Sequence, residues 1–148
     1  MAKLDVRRIT ALPLQIRLLE QEAVAQGFRF LTRLIDEWEA GVNRFDEPGE
    51  CLMAACLDEQ LVAVAGLSRD PWLDGDTGRL RRLYVADAAR GRNVGRTLVG
   101  RLLEHAGQGF KVVRLSTDTS EGAAFYLRCG FLPLNDAHAT HIRRLTNV

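Results

Sequence analysis

Between residues 84 and 98 the chain reads YVADAARGRNVGRTL. An apolar segment ends, a turn rich in arginine and glycine follows, and an amphipathic segment begins. N–H groups at a helix start have no intrahelical acceptor, and the helix dipole favours negative charge there. Gly91 and Gly95 let the main chain approach a bulky anion closely, and Arg90, Arg92 and Arg96 add full positive charges. A phosphate is the ligand such a turn suits. The turn lacks the Gly-Lys-Ser/Thr of a Walker A loop. It also lacks the place after a first strand, and the acid about 20 residues later, of a dinucleotide-binding fingerprint. The plainer alternative is a tight strand–helix connection with solvated arginines, and the turn alone leaves both readings open.

The elements that must position this turn follow from periodicity. Residues 79–86 (RLRRLYVA) predict a strand with Leu80, Leu83 and Val85 apolar. Leu80 and Leu83 are out of step with strict alternation, so the pattern predicts a bulge within the strand. Residues 87–93 are a polar turn. Residues 94–106 are the clearest helix, with Val94, Leu98 and Leu102 in one stripe and Val99, Leu103 and Ala106 beside it. Upstream, residues 5–10 predict a strand. Residues 14–26 predict a helix with Leu14, Leu18, Leu19 and Ala23 at helical spacing, and 28–40 a second helix. Gly27 and Gly41 stand where C-caps belong. Residues 50–70 read as a β-hairpin about Asp58-Glu59-Gln60, and 71–78 as a loop. Downstream come a strand at 110–116, a helix at 121–128, and strands at 131–134 and 139–145. The connection from 79 to 116 is a right-handed parallel crossover. The fold class is α/β (α+β): a single mixed, mostly antiparallel sheet flanked by helices.

The chain of 148 residues suits one domain, 1–148. Hydrophobic residues at 47% and charged residues at 26% set aside disorder, collagen and coiled coil. The apolar runs at 51–57 and 61–67 are too short to span a bilayer, and the N-terminus carries no apolar signal segment. Cys51, Cys56 and Cys129 form no Cys-x-x-Cys and read as reduced thiols of a cytoplasmic protein. His138 and His141, three apart in a predicted strand, face opposite sides, so no metal site is expected. Net charge is +1 but segregated. Residues 20–50 hold eight acids and three arginines; residues 79–101 hold seven arginines and one aspartate. One region could receive an anion and the other a cation.

The segment Arg90-Gly91-Arg92-Asn93-Val94-Gly95 resembles the acetyl-coenzyme-A loop of the GNAT N-acetyltransferase superfamily, Gln/Arg-x-x-Gly-x-Gly/Ala, with Asn93 in place of the first glycine. Asn tolerates left-handed backbone, so the loop can keep its shape. Leu83-Tyr84-Val85 resembles the family's strand before that loop. Residues 123–131 (AAFYLRCGF) resemble its Ala-x-x-x-Tyr-x-x-x-Gly-Phe ending, with Tyr126, Gly130 and Phe131 in register. Gly122 takes the usual Ala place and Thr119 the usual Asn place. Residues 1–70 match in pattern only, and there such proteins choose their acceptors.

The resemblance implies a GNAT-like acyl-CoA N-acyltransferase fold and acetyl transfer from acetyl-CoA to a primary amine, on a small molecule or peptide, directly through a tetrahedral intermediate. Residues Arg90, Gly91, Arg92, Asn93, Val94, Gly95 and Arg96 would hold the pyrophosphate. Leu83, Tyr84 and Val85 would pair with pantetheine, and an N–H near Tyr84–Val85 would face the thioester oxygen. Tyr126 would protonate the departing thiolate. The base is unassigned: Asp70, Asp74 and Asp76 could line the acceptor entrance, while Glu37, Glu39 and Asp46 would favour a cationic acceptor. Cys129 has no histidine partner and is not expected as a nucleophile. No metal, nucleic acid or membrane partner is expected, and a homodimer stays open. Two other readings are an acyl-CoA sensor without turnover and a nucleic-acid module using residues 79–101.

Overall fold

The computed structural model describes residues 3–73 and 75–145. In chain order the elements are β1 (Leu4–Ile9), α1 (Ile16–Ala25), α2 (Phe30–Glu39), β2 (Cys51–Leu57), β3 (Gln60–Arg69), β4 (Thr77–Val85), a 3-10 turn (Asp87–Ala89), α3 (Val94–Ala106), β5 (Val112–Leu115), α4 (Ser120–Arg128), β6 (Leu132–Pro133) and β7 (His141–Arg144). The strands form one sheet in the order β1-β2-β3-β4-β5-β7-β6. Only β4 and β5 run parallel; every other neighbouring pair is antiparallel. This is the mixed, mostly antiparallel sheet that the sequence predicts.

The apolar stripes of the helices supply the core. On α3 the buried set is Val94, Leu98, Val99, Leu102, Leu103 and Ala106, the residues at helical spacing. On α2 it is Leu31, Leu34, Ile35 and Trp38. Helix α1 departs from expectation. It starts at Ile16, whose N–H bonds to Pro13 O, and buries Ile16, Leu19 and Ala23. Leu14 lies in the turn before it and is 93% exposed, and Leu18 also faces solvent.

Strand β4 begins at Thr77, two residues earlier than its apolar pattern suggests. Gly78, which reads as loop, sits so close to Phe110 that a Cβ there would lie 2.9 Å from the ring. Packing, not turn geometry, requires this glycine. The predicted bulge is present. Val64 pairs with Tyr84 and Gly66 with Arg81, leaving Arg82 and Leu83 without β3 partners. Arg82 takes the left-handed φ of +62° that absorbs the extra residue. Across from it, a Cβ on Gly66 would come within 2.5 Å of the Phe45 ring.

Gly66→Ala should therefore lower stability by about 1–3 kcal/mol, the usual size of overpacking. The check is a lower urea midpoint at unchanged slope. An unshifted midpoint would mean that Phe45 gives way freely.

Candidate active site

Strands β4 and β5 pair only from Thr77 to Arg79, against Val112 to Arg114. Beyond Arg79, β4 runs on to Val85 with a partner on its β3 side alone. The sheet thus splits into a gap, and one edge of β4 presents main-chain groups without a strand partner. The two faces of β4 downstream of the bulge are distinct. Arg82 reaches Glu37 on α2, and Tyr84 packs on Phe30 with ring centroids 6.2 Å apart. On the other face, a Cβ at Gly95 would meet Val85 at 3.2 Å and Phe125 of α4 at 3.3 Å.

At the far end of β4 lies the arginine–glycine turn. Gly91 has φ +78° with nothing within 4 Å of a Cβ position. Asn93 is the residue before α3 and adopts φ +62°, ψ +16°, the left-handed backbone foreseen for it. None of the N–H groups of residues 91–96 finds an acceptor among the described residues. Arg92 and Arg96 are exposed and make no ion pair among the described residues. The turn is an open cradle of donors under positive charge, fit for a phosphate group.

Not every predicted side chain points there. The Arg90 guanidinium donates to Val85 O at 3.1 Å and to Gln26 Oε1 at 3.1 Å, and pairs with Asp87. It braces the turn. The Tyr84 hydroxyl donates to Glu22 on α1, and burial, with Glu22 beside it, raises the phenol above its ordinary value. Only the main chain of Tyr84 lines the strand edge. The Cβ of Gly95 would point into the packing between β4 and α4, so a larger residue there would disrupt the fold before it met a ligand.

Tyr126 projects from α4 against Phe131, Phe125 and His141, at 5.7, 5.2 and 6.5 Å between ring centroids. It is 9% exposed, and its hydroxyl makes no hydrogen bond among the described residues. Burial raises its phenol above the ordinary value, so it holds its proton at neutral pH. The start of α4 is capped by Thr119, whose Oγ1 accepts from the Gly122 N–H at 3.0 Å. A Cβ on Gly122 would lie 2.3 Å from Thr117 Oγ1, so glycine at this position goes with the two threonines.

The model of the acetyltransferase (GNAT) family matches residues 15–131. This chain belongs to the GNAT family. It is 42% identical over 62 residues to glucosamine 6-phosphate N-acetyltransferase 1 of Oryza sativa subsp. japonica, covering 41% of this chain and 37% of that one. The chain spans less than two fifths of the length of the curated relatives it matches, 23% and 37%. A crystal structure assigned to the acetyltransferases, from Exiguobacterium sp. 255-15, superposes with TM-score 0.86 at 22% identity, covering 96% of this chain and 93% of that one. The GNAT family N-acetyltransferase YhbS of Escherichia coli, solved in complex with CoA, superposes with TM-score 0.71 at 18% identity over 99% and 83%. Those likenesses show that the GNAT fold is shared.

Within this GNAT fold, a charged network missed in the sequence closes the other side of the gap. Asp70 is fully buried, 3.3 Å from Arg114 Nε and 3.5 Å from Arg79 Nη1, and accepts from the Trp72 N–H at 2.8 Å. Arg114 continues to Asp136 at 3.0 Å, and Arg79 to Ser116 Oγ at 2.9 Å. His138 lies outside β7 and stacks on Trp72, centroids 3.6 Å apart, so it and His141 do not share a strand. The one signal was an arginine within an apolar strand, VVRL. Asp70 is an anchor, held by two guanidinium groups and the Trp72 N–H. Asp76 pairs with exposed Lys111, and Asp74 lies outside the described residues. The acidic field of residues 20–50 is also largely answered. Glu20 and Glu39 pair with Arg17, Glu37 with Arg82, Glu22 takes two donors, and Glu50 takes two N–H groups. Asp46 stays exposed without a partner among the described residues. Burial raises the Cys129 thiol, against Arg96, Arg128 and Arg143 nearby, which leaves it a poor nucleophile.

Asp70→Asn should cost about 3–5 kcal/mol of stability, the size of breaking a buried pair. The check is a urea midpoint well below that of the wild type. An unshifted midpoint would mean that Arg79 and Arg114 find other partners.

Proposed function

We propose that this chain, as a single domain over residues 1–148, is an N-acetyltransferase that moves an acetyl group from acetyl-CoA to a primary amine on a small molecule or peptide. The observation that carries this reading is the unpaired edge of β4, which runs from the donor-rich turn before α3 to the bulge at Arg82. Acetyl-CoA would bring a thioester whose oxygen gains negative charge as an amine adds and whose sulfur leaves as a thiolate.

The N–H groups of residues 91–96, with Arg92 and Arg96, hold the pyrophosphate. Leu83, Tyr84 and Val85 offer main-chain donors and acceptors to the extended arm, as a sheet edge does to an added strand. A main-chain N–H near Tyr84 and Val85, on the edge of β4 that faces the gap, aims at the carbonyl oxygen. The Ala86 N–H bonds back to Val62 O at 2.7 Å, so strand alternation puts the Val85 N–H on the other edge. A fixed donor there stabilises developing charge without reorganising. Tyr126 keeps its proton and gives it to the sulfur. The nucleic-acid reading loses support, because Arg79, Arg82 and Arg90 are engaged by protein partners, at Ser116, Glu37 and Val85 O.

Two measurements test the reading. Acetyl-CoA should raise the melting temperature; at 100-fold above its Kd the gain is about 2.7 kcal/mol. Tyr126→Phe should lower kcat by roughly 10²-fold, the low end for general acid help, because a thiol leaves tolerably unassisted. Its stability and its KM for acetyl-CoA should hardly change, since the lost hydroxyl makes no hydrogen bond. A Tyr126→Phe enzyme at full rate would remove the acid role, and a protein that ignores acetyl-CoA would remove the whole proposal.

A further inference from the structure

On the α2 face of the gap, arginines outnumber the acids that answer them. Arg82 is the centre. Its side chain is 93% buried (7% exposed), and only Nη2 has a partner, Glu37 Oε1 at 3.2 Å. Its Nε is buried and makes no hydrogen bond among the described residues. Arg33 stands one turn before Glu37 on α2, is exposed, and has no side-chain partner among the described residues. Arg81, half-buried, likewise has none. Burial draws the Arg82 guanidinium below its ordinary value, and the charges of Arg81 and Arg33 add to this, against Glu37. Arg81 precedes Arg82 in β4 and stands two residues after Arg79. Arg79 and Arg114 are answered by Asp70 and Asp136. Arg82 has Glu37, and neither Arg33 nor Arg81 has an ion pair among the described residues.

Like charges gathered around a buried, half-satisfied guanidinium repel one another, and an anion relieves them. The cluster lies at the bulge, on the face opposite the one where Val85, Gly95 and Phe125 meet. An acceptor that approaches the gap from that side meets it first. We propose that the acceptor amine carries an anionic group, a carboxylate or a phosphoryl, and that Arg33 and Arg81 bind it beside Arg82. This rests on the acetyltransferase reading and reverses the cationic acceptor that the acids of residues 20–50 suggested. Those acids are mostly tied to protein partners, whereas Arg33 and Arg81 have no ion pair among the described residues. The planar forks of Arg33 and Arg81 suit either anion in bidentate fashion.

The test uses amines that differ only in the anionic group: β-alanine against β-alaninamide for the carboxylate, and glucosamine 6-phosphate against glucosamine for the phosphoryl. At least one anionic member should show kcat/KM tenfold or more above its neutral partner. Arg33→Gln and Arg81→Gln should each raise its KM about tenfold and leave the KM of acetyl-CoA and the melting temperature unchanged, and Arg81→Lys should recover part of the loss. Inorganic phosphate titrated into the CoA-saturated protein gives a readout without turnover. Binding should weaken at least tenfold in the double Gln variant. Equal or better turnover of neutral or cationic amines, or phosphate binding that ignores the double substitution, overturns the inference. If acetyl-CoA itself fails to bind, the acetyltransferase reading fails, and comparing phosphate binding by the wild type and the double variant still decides whether these arginines form an anion site.

Discussion

Strand β4 has to satisfy two neighbours that ask for different things. Its first residues pair on both sides; its last residues pair with β3 only. Between them one extra residue is taken up at Arg82 in left-handed backbone, a conformation that costs an ordinary residue about 1–2 kcal/mol. Because strand faces alternate with a period of two, that residue decides which way everything after it points. With it, Tyr84 faces α1 and α2, and Val85 faces α3 and α4. Without it they would exchange faces, and the Tyr84–Glu22 bond and the close approach of Gly95 to Val85 would both be lost. Gly66, with no Cβ to press on Phe45, and the Arg82–Glu37 contact hold the bulge in place.

The turn at the end of β4 inherits its position from these contacts. Glu22 accepts from the Tyr84 hydroxyl and from the Asp87 N–H at 3.0 Å, so α1 fixes the point where the strand ends. Arg90 reaches back to Val85 O and sideways to Gln26, and its charge lies over the Tyr84 ring at 5.6 Å. Once Arg90 is engaged in this way, Asn93 can turn the chain into α3 with the N–H groups of residues 91–96 facing outward. The arginines of one short motif thus divide into a brace, Arg90, and two open charges, Arg92 and Arg96.

What was legible in the sequence followed from periodicity and backbone preference. The stripe of α3, the mixed sheet, the left-handed Asn93 and even the bulge, from the misfit of Leu80 and Leu83, all express local rules. What was hidden is partnership across distance. Asp70, Arg114 and Asp136 form one network although they lie on three separate segments. Glu37 and Arg82 are 45 residues apart in the chain. Charge segregation showed where acids and arginines are, but not which of them cancel. His138 looked like part of a strand, and the flat ring of Trp72 holds it outside one.

Of the arginines without an ion pair among the described residues, Arg92 and Arg96 stand at the start of α3, and Arg33 and Arg81 on α2 and at the bulge of β4. A reaction between an anionic donor and an anionic amine needs both sets, since each anion would otherwise oppose the other's approach. The second set has a further consequence for the attacking nitrogen. Only the neutral amine can attack, and nearby positive charge disfavours the ammonium form. The charge that holds an acceptor's carboxylate or phosphoryl therefore also increases the fraction of acceptor ready to react. Asp70, the buried carboxylate nearest the gap, is locked between two guanidinium groups. A face that lowers the amine's own proton affinity needs less from a base.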